Sequence, residues 1–173
     1  MRKLVSLLGC FAMMVAIVGC TQESTEEPSV SNVDGAKFML NDQPEGAKEV
    51  IQVREDTKDG DDVVIVGRIG GGENPWIDDR AAFTIVDNSL RACSDIPGDN
   101  CDKPWDYCCA TDKLPTSTAL VKVVDENGKL VQADARQLLN VKELSTVIVK
   151  GKAKRDDDGN LTVLASGIYV KKK

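Results

Sequence analysis

Apolar positions along the chain fall into three regimes. Residues 4–18 are almost wholly apolar, interrupted only by Ser6, Gly9 and Cys10. Residues 21–35, TQESTEEPSVSNVDG, are polar, acidic and without period. Beyond them apolar residues recur first at helical and then at strand spacing. Phe38-Met39-Leu40 is the first cluster. In EGAKEVIQVRED, Ala47, Val50 and Ile51 stand at i, i+3 and i+4, the spacing of one helical face. The charged run KDGDD, Lys58 to Asp62, ends that helix. Residues 63–70 (VVIVGRIG), 81–87 (AAFTIVD) and 118–125 (TALVKVVD) are then rich in β-branched residues and predict three strands. An Asn-Gly turn and a short return strand, LVQ, follow the third. ADARQLLN places Ala135, Leu138 and Leu139 at helical spacing. Residues 146–155 and 161–170 form the last pair of strands, joined by DDDGN. In the first of that pair Val147, Val149, Gly151 and Ala153 alternate with Ile148, Lys150, Lys152 and Lys154, the pattern of a strand with one buried face.

Three strands, a short helix and two strands closed by a tight hairpin are the element order of an OB-fold barrel. The run V-x-V-x-G-x-A, a DGN turn and L-T-V-L-A resembles the closing hairpin of small OB-fold domains. The resemblance covers residues 62–170 and rests on strand order and glycine placement. It extends loosely to exported OB-fold proteins of unknown function. The expected fold is mainly β: a five-stranded OB-like barrel with a short helix between strands three and four, plus an N-terminal helix and a long cysteine-rich loop. Gly67 and Gly151 are expected where coiled barrel strands bend.

The apolar start has a different use. Arg2 and Lys3 precede the apolar run, and Ile17-Val18-Gly19-Cys20 closes it. This is the layout of a secretory signal, too short for an ordinary membrane span, and its end resembles the lipobox of bacterial lipoproteins. The resemblance implies that Cys20 is lipidated and becomes the mature N-terminus, anchoring an exported protein to the periplasmic or outer face of the cell envelope. The expected organisation is a signal peptide over 1–19, a lipidated Cys20 with a flexible tether over 20–43, and a single OB-like domain over 44–173 with a cysteine-rich insertion at 88–115.

Charge narrows the partners. Without Arg2 and Lys3 the 22 basic residues become 20 against 28 acidic ones, a formal −8, which argues against nucleic acid. The chain contains no histidine. Ser-His-Asp and Cys-His catalysis, His-ligated zinc and histidine pH switching are thereby excluded.

The insertion holds Cys93, Cys101, Cys108 and Cys109, with seven, six and no residues between them. In an oxidising compartment four cysteines predict two disulfides. Three connectivities are possible. A bond between the neighbours Cys108 and Cys109 is disfavoured by diverging Cβ vectors, so Cys93 and Cys101 are each expected to pair with one of them. Metal binding is not expected, because zinc knuckles use two Cys-x₂₋₄-Cys pairs and iron–sulfur spacings do not match either.

Trp105, Tyr107 and Trp76 are candidates for a recognition surface, although aromatics beside cysteines also commonly pack to give a small loop its own core. GRIGGGENPW, 67–76, lacks either phosphate-binding glycine pattern and reads as a flexible barrel loop. Lys150, Lys152 and Lys154 form a cationic stripe best read as a solvated strand face, with anion or oligosaccharide binding as the sharper alternative. No cofactor signature and no catalytic residue emerge. The expected function is that of a membrane-tethered, non-enzymatic binding module with a protein or small-ligand partner. The alternative is a redox- or metal-handling lipoprotein using Cys93, Cys101, Cys108 and Cys109.

Overall fold

A computed structural model describes residues 33–172; the expected signal peptide, Cys20 and the expected tether up to residue 32 lie outside them. The elements are β1 (Lys48–Glu49), α1 (Val50–Asp56), β2 (Asp62–Ile69), β3 (Ala82–Val86), α2 (Leu114–Ser117), β4 (Thr118–Val123), α3 (Ala135–Leu139), β5 (Thr146–Arg155) and β6 (Leu161–Val170). The strands run in the order β1-β2-β3-β4-β6-β5, and β2 also pairs with β5, so strands β2 to β6 close into a five-stranded barrel. All barrel pairings are antiparallel except β4 with β6. This is the OB-like barrel expected from the sequence, with α3 between its third and fourth strands and β1 added in parallel beside β2.

Alternation drives the closure. Val147, Val149, Gly151 and Ala153 turn inward on β5, opposite Ile65 and Val63 on β2 and Ile168, Ala165 and Val163 on β6, all in the core. Removing these β-branched side chains from water contributes about 25 cal/mol per Å² of apolar surface. The register slips by a bulge between Lys150 and Gly151. There a Cβ on Gly151 would stand 2.2 Å from the Leu164 carbonyl oxygen, so the seam between β5 and β6 closes only over a glycine. Gly67 is similarly tight, with the Val86 carbonyl oxygen 2.9 Å from a Cβ placed on it.

The N-terminal helix starts later than its spacing predicts. Ala47 lies outside it, because Gly46 takes φ 72° and Lys48–Glu49 pair with β2. Val50 and Val53 form its buried face. Both ends of α1 are held by other elements. The buried Asp87 carboxylate accepts from the Ile51 N–H at 2.8 Å, and from Ser89 N–H and Oγ at 2.9 and 2.6 Å. Arg155 donates to the carbonyls of Val53, Arg54 and Thr57 at the other end. An anion at the first turn and a cation at the last complement the exposed peptide groups. α3 is capped by Asp134, which accepts from Arg136 and Gln137 N–H.

Residues 35–40, which precede the expected domain start at residue 44, pack on the barrel. Phe38 is buried in the main core, and Leu40 N–H donates to the Ile168 carbonyl at 2.8 Å, laying residues 35–40 along β6. Among the described residues no helix is long and apolar enough to cross a membrane.

Candidate functional site

The insertion between β3 and β4 does not stand away from the barrel. It folds back over the end of β3 and builds a second apolar core from Val86, Leu90, Ala92 and Tyr107, with Ala110, Leu114 and Leu144 packed at its edge. Leu144 reaches that position with φ 61°, a strained angle for a leucine. Tyr107 is fully buried and its hydroxyl has no hydrogen-bond partner. Burial pushes its phenol pKa up, because the charged form would be cut off from water.

The GRIGGGENPW segment makes the docking possible. A Cβ on Gly70 would lie 2.8 Å from the Trp105 carbonyl oxygen and 2.9 Å from the Tyr107 ring. Its glycine is therefore a contact surface for the insertion and not only a hinge. The neighbouring Glu73 binds Lys103 at 2.6 Å, and its carbonyl accepts from Trp105 Nε1 at 3.0 Å. On the other side Arg68 of β2 grips Asp95 of the insertion through two nitrogens, at 2.5 and 3.4 Å. Within the insertion, Cys93 N–H donates to Asp106 O and Ser94 N–H to Pro104 O, so its two arms run side by side.

The Arg68 guanidinium is the largest influence holding the Asp95 carboxyl below its ordinary range. A depressed acid contributes stability that is present above its unfolded pKa, about 3.9, and is lost as pH falls through the lower folded value. The tie is therefore complete at neutral pH and lost only in strong acid. Replacing Arg68 by alanine should loosen the insertion at pH 7 by about 1 kcal/mol, with about fivefold faster tryptic cleavage at Arg91 and Lys113. An unchanged cleavage rate would mean that the ion pair does not hold the loop.

Four sulfurs meet on this scaffold. Cys93 begins a 3-10 turn (Cys93–Asp95) and Cys108 begins another (Cys108–Ala110). Their Sγ atoms are 3.2 Å apart. Cys101 joins them, and the sulfurs of Cys93, Cys101 and Cys108 all lie within 4.8 Å of one another. Cys109 Sγ is 3.9 Å from Cys108 Sγ and 4.0 Å from the Asp99 carboxylate. None of these distances is the ~2.05 Å of a sulfur–sulfur bond. Cys93 is buried, Cys101 half-buried, Cys108 and Cys109 exposed. Burial raises the Cys93 thiol pKa. For Cys108 the Cys93 contact pulls downward, but the Cys109 sulfur and loss of water outweigh it and the thiol is raised.

The aromatic surface expected from Trp105, Tyr107 and Trp76 is reduced to one residue. Tyr107 fills the core of the insertion. Trp76 is buried against Phe83, ring centroids 5.8 Å apart, with its Nε1 donating to Glu143 at 2.6 Å. Only Trp105 remains half-exposed. Burial wins because each ring removes a large apolar area from water while its polar edge finds a partner, Tyr107 excepted. The lysine stripe is also less free than its spacing implies: Lys152 pairs with Asp62 at 2.9 Å and Lys154 with Asp59 at 3.0 Å. Two of its three charges are thus answered by acids, Asp59 in the turn before β2 and Asp62 at its first residue, as a solvated strand face allows.

Asp87, Arg68, Asp95 and Gly70 carry the docking, and the sequence reading did not single them out for it. Asp87-Asn88-Ser89 after a strand is the signature of an Asx turn and could have been found. The Arg68–Asp95 pair, 27 residues apart, leaves no local signal. No protein-family model matches the chain, and no curated protein matches it.

Proposed function

We propose that the protein is an exported lipoprotein, tethered to the envelope through Cys20, that serves as a non-enzymatic binding module with the cysteine insertion as its recognition surface. The observation that carries this reading is a cleft of about 540 Å³ at the edge of the insertion. It is lined by Ile51, Leu90, Arg91, Ile96, Cys109 and Lys113, and so joins apolar floor, cationic rim and an exposed thiol. A loop with its own core, tied to a closed barrel on two sides, presents such a cleft with little ordering cost on binding. In the oxidising envelope we assign the loop clamp to disulfides Cys93–Cys108, whose sulfurs lie 3.2 Å apart, and Cys101–Cys109, the remaining pair. Each bond forms with loss of two thiol protons and two electrons to a disulfide-exchanging oxidant of that compartment.

Replacing residues 91–112 of the lipidated full chain by a short Gly-Ser linker tests the reading. Photo-crosslinks from probes placed around the cleft to envelope partners should disappear while the barrel stays folded. Retention of every crosslink would make the insertion a structural cap. A second reading, a redox- or metal-handling lipoprotein, is favoured by the convergence of Cys93, Cys101 and Cys108.

A further inference from the structure

We propose that the reduced insertion is a three-thiolate site for one soft monovalent cation, Cu(I), held by Cys93, Cys101 and Cys108. The inference rests on the insertion being the working surface and names a ligand for it.

The expectation against metal binding rested on spacing, and the fold removes that objection. The three cysteines come from three separate stretches of the insertion, so no knuckle is needed to bring them together. The awkward neighbours Cys108 and Cys109 do not both belong to the trio. An ion with metal–sulfur bonds of about 2.3 Å in a trigonal plane spaces its sulfurs by about 4 Å. The Cys93 and Cys108 sulfurs are 3.2 Å apart and all three lie within 4.8 Å, so small side-chain rotations complete the triangle.

The donor set selects the ion. It is all sulfur, in a chain without histidine. The Asp99 carboxylate, 4.0 Å from Cys109 Sγ, already accepts from the Cys101 N–H at 2.7 Å. Thiolates select soft ions, Cu(I) and Zn(II) foremost. Zn(II) takes four ligands almost always, whereas a trio of one buried, one half-buried and one exposed sulfur suits a three-coordinate Cu(I). Cys109 stands 3.9 Å from Cys108, exposed and outside the trio.

Binding forms three copper–sulfur bonds and releases three thiol protons to solvent; the ion stays Cu(I) and no electron moves. Burial favours the protonated Cys93 thiol only while no cation is beside it. The same sulfurs cannot be both oxidised and metallated, so the ion and the disulfides compete.

The full chain, reduced in detergent without oxygen, is titrated with Cu(I) against a chromophoric Cu(I) chelator. One equivalent should be held. Cys101→Ser should weaken it by at least about tenfold, the scale reached even by groups behind metal ligands. Cys109→Ser should keep the one-to-one stoichiometry, with circular dichroism confirming that both variants fold. Failure to retain Cu(I), equal binding by Cys101→Ser, or zinc kept against equimolar Cu(I) would overturn the site. Disulfide-linked peptides from non-reduced protein, without Cu(I) binding by the reduced form, would sink the metal site and leave the clamp. Intact partner crosslinks after the linker replacement would instead remove the recognition surface, whatever the copper result.

Discussion

Tyr107→Ala is expected to be among the most damaging single substitutions in the described chain, costing about 3–5 kcal/mol where the insertion and barrel unfold together. The ring is fully buried and is the largest side chain of the second core, against Val86, Leu90 and Ala92. Gly70 brings the backbone to within van der Waals reach of it, so nothing nearby can collapse into the cavity without moving the barrel loop. The loss would register first in the insertion, as faster hydrogen exchange over residues 88–115, because local cores open below the global unfolding energy. The control is Tyr107→Phe. The hydroxyl is buried without a partner, so deleting it removes a desolvation cost and loses no hydrogen bond. The phenylalanine variant should be as stable as the parent or more stable by up to about 1 kcal/mol. Denaturant unfolding and exchange measured on both variants decide it. If Phe destabilises as much as Ala, the hydroxyl has a partner and the second core is not purely apolar.

Gly151→Ala should cost about 3 kcal/mol, the upper end of what overpacking does in a well-packed interior. The added Cβ meets the Leu164 carbonyl oxygen at 2.2 Å and the Ala165 Cα at 3.0 Å. Both are backbone atoms of the paired strand, so no side-chain rotation relieves the clash. The seam between β5 and β6 must open, and with it the pairing of β5 to β2 that closes the barrel. Gly72→Ala is the matched control: a Cβ there has no neighbour within 4 Å, and the change should be nearly neutral. A fall in denaturation midpoint for Gly151→Ala no larger than for Gly72→Ala would show that the bulge can move to another residue.

Legibility in the sequence followed the range of the forces involved. Residues 146–155 and 161–170 were readable as strands to the residue, because alternation and the DDDGN turn are local. Ala47 was misplaced because a helical spacing carries no record of Gly46 and of the parallel pairing at Lys48–Glu49. The cysteines were recognisable as one group, and their spacing argued against a shared ion. The convergence of Cys93, Cys101 and Cys108 within 4.8 Å depends on two 3-10 turns brought side by side, which spacing does not encode.

The sequence by itself determined the element order, the inward faces of the barrel strands, the absence of histidine chemistry and the concentration of sulfur in one insertion. Each follows from composition or from a period of a few residues. Tertiary structure alone decided that Tyr107 and Trp76 are core and not surface, that Asp59 and Asp62 answer the lysine stripe, and that Arg68 and Gly70 receive the insertion. Those outcomes depend on which groups distant in sequence are brought side by side, and that is set only when the barrel closes.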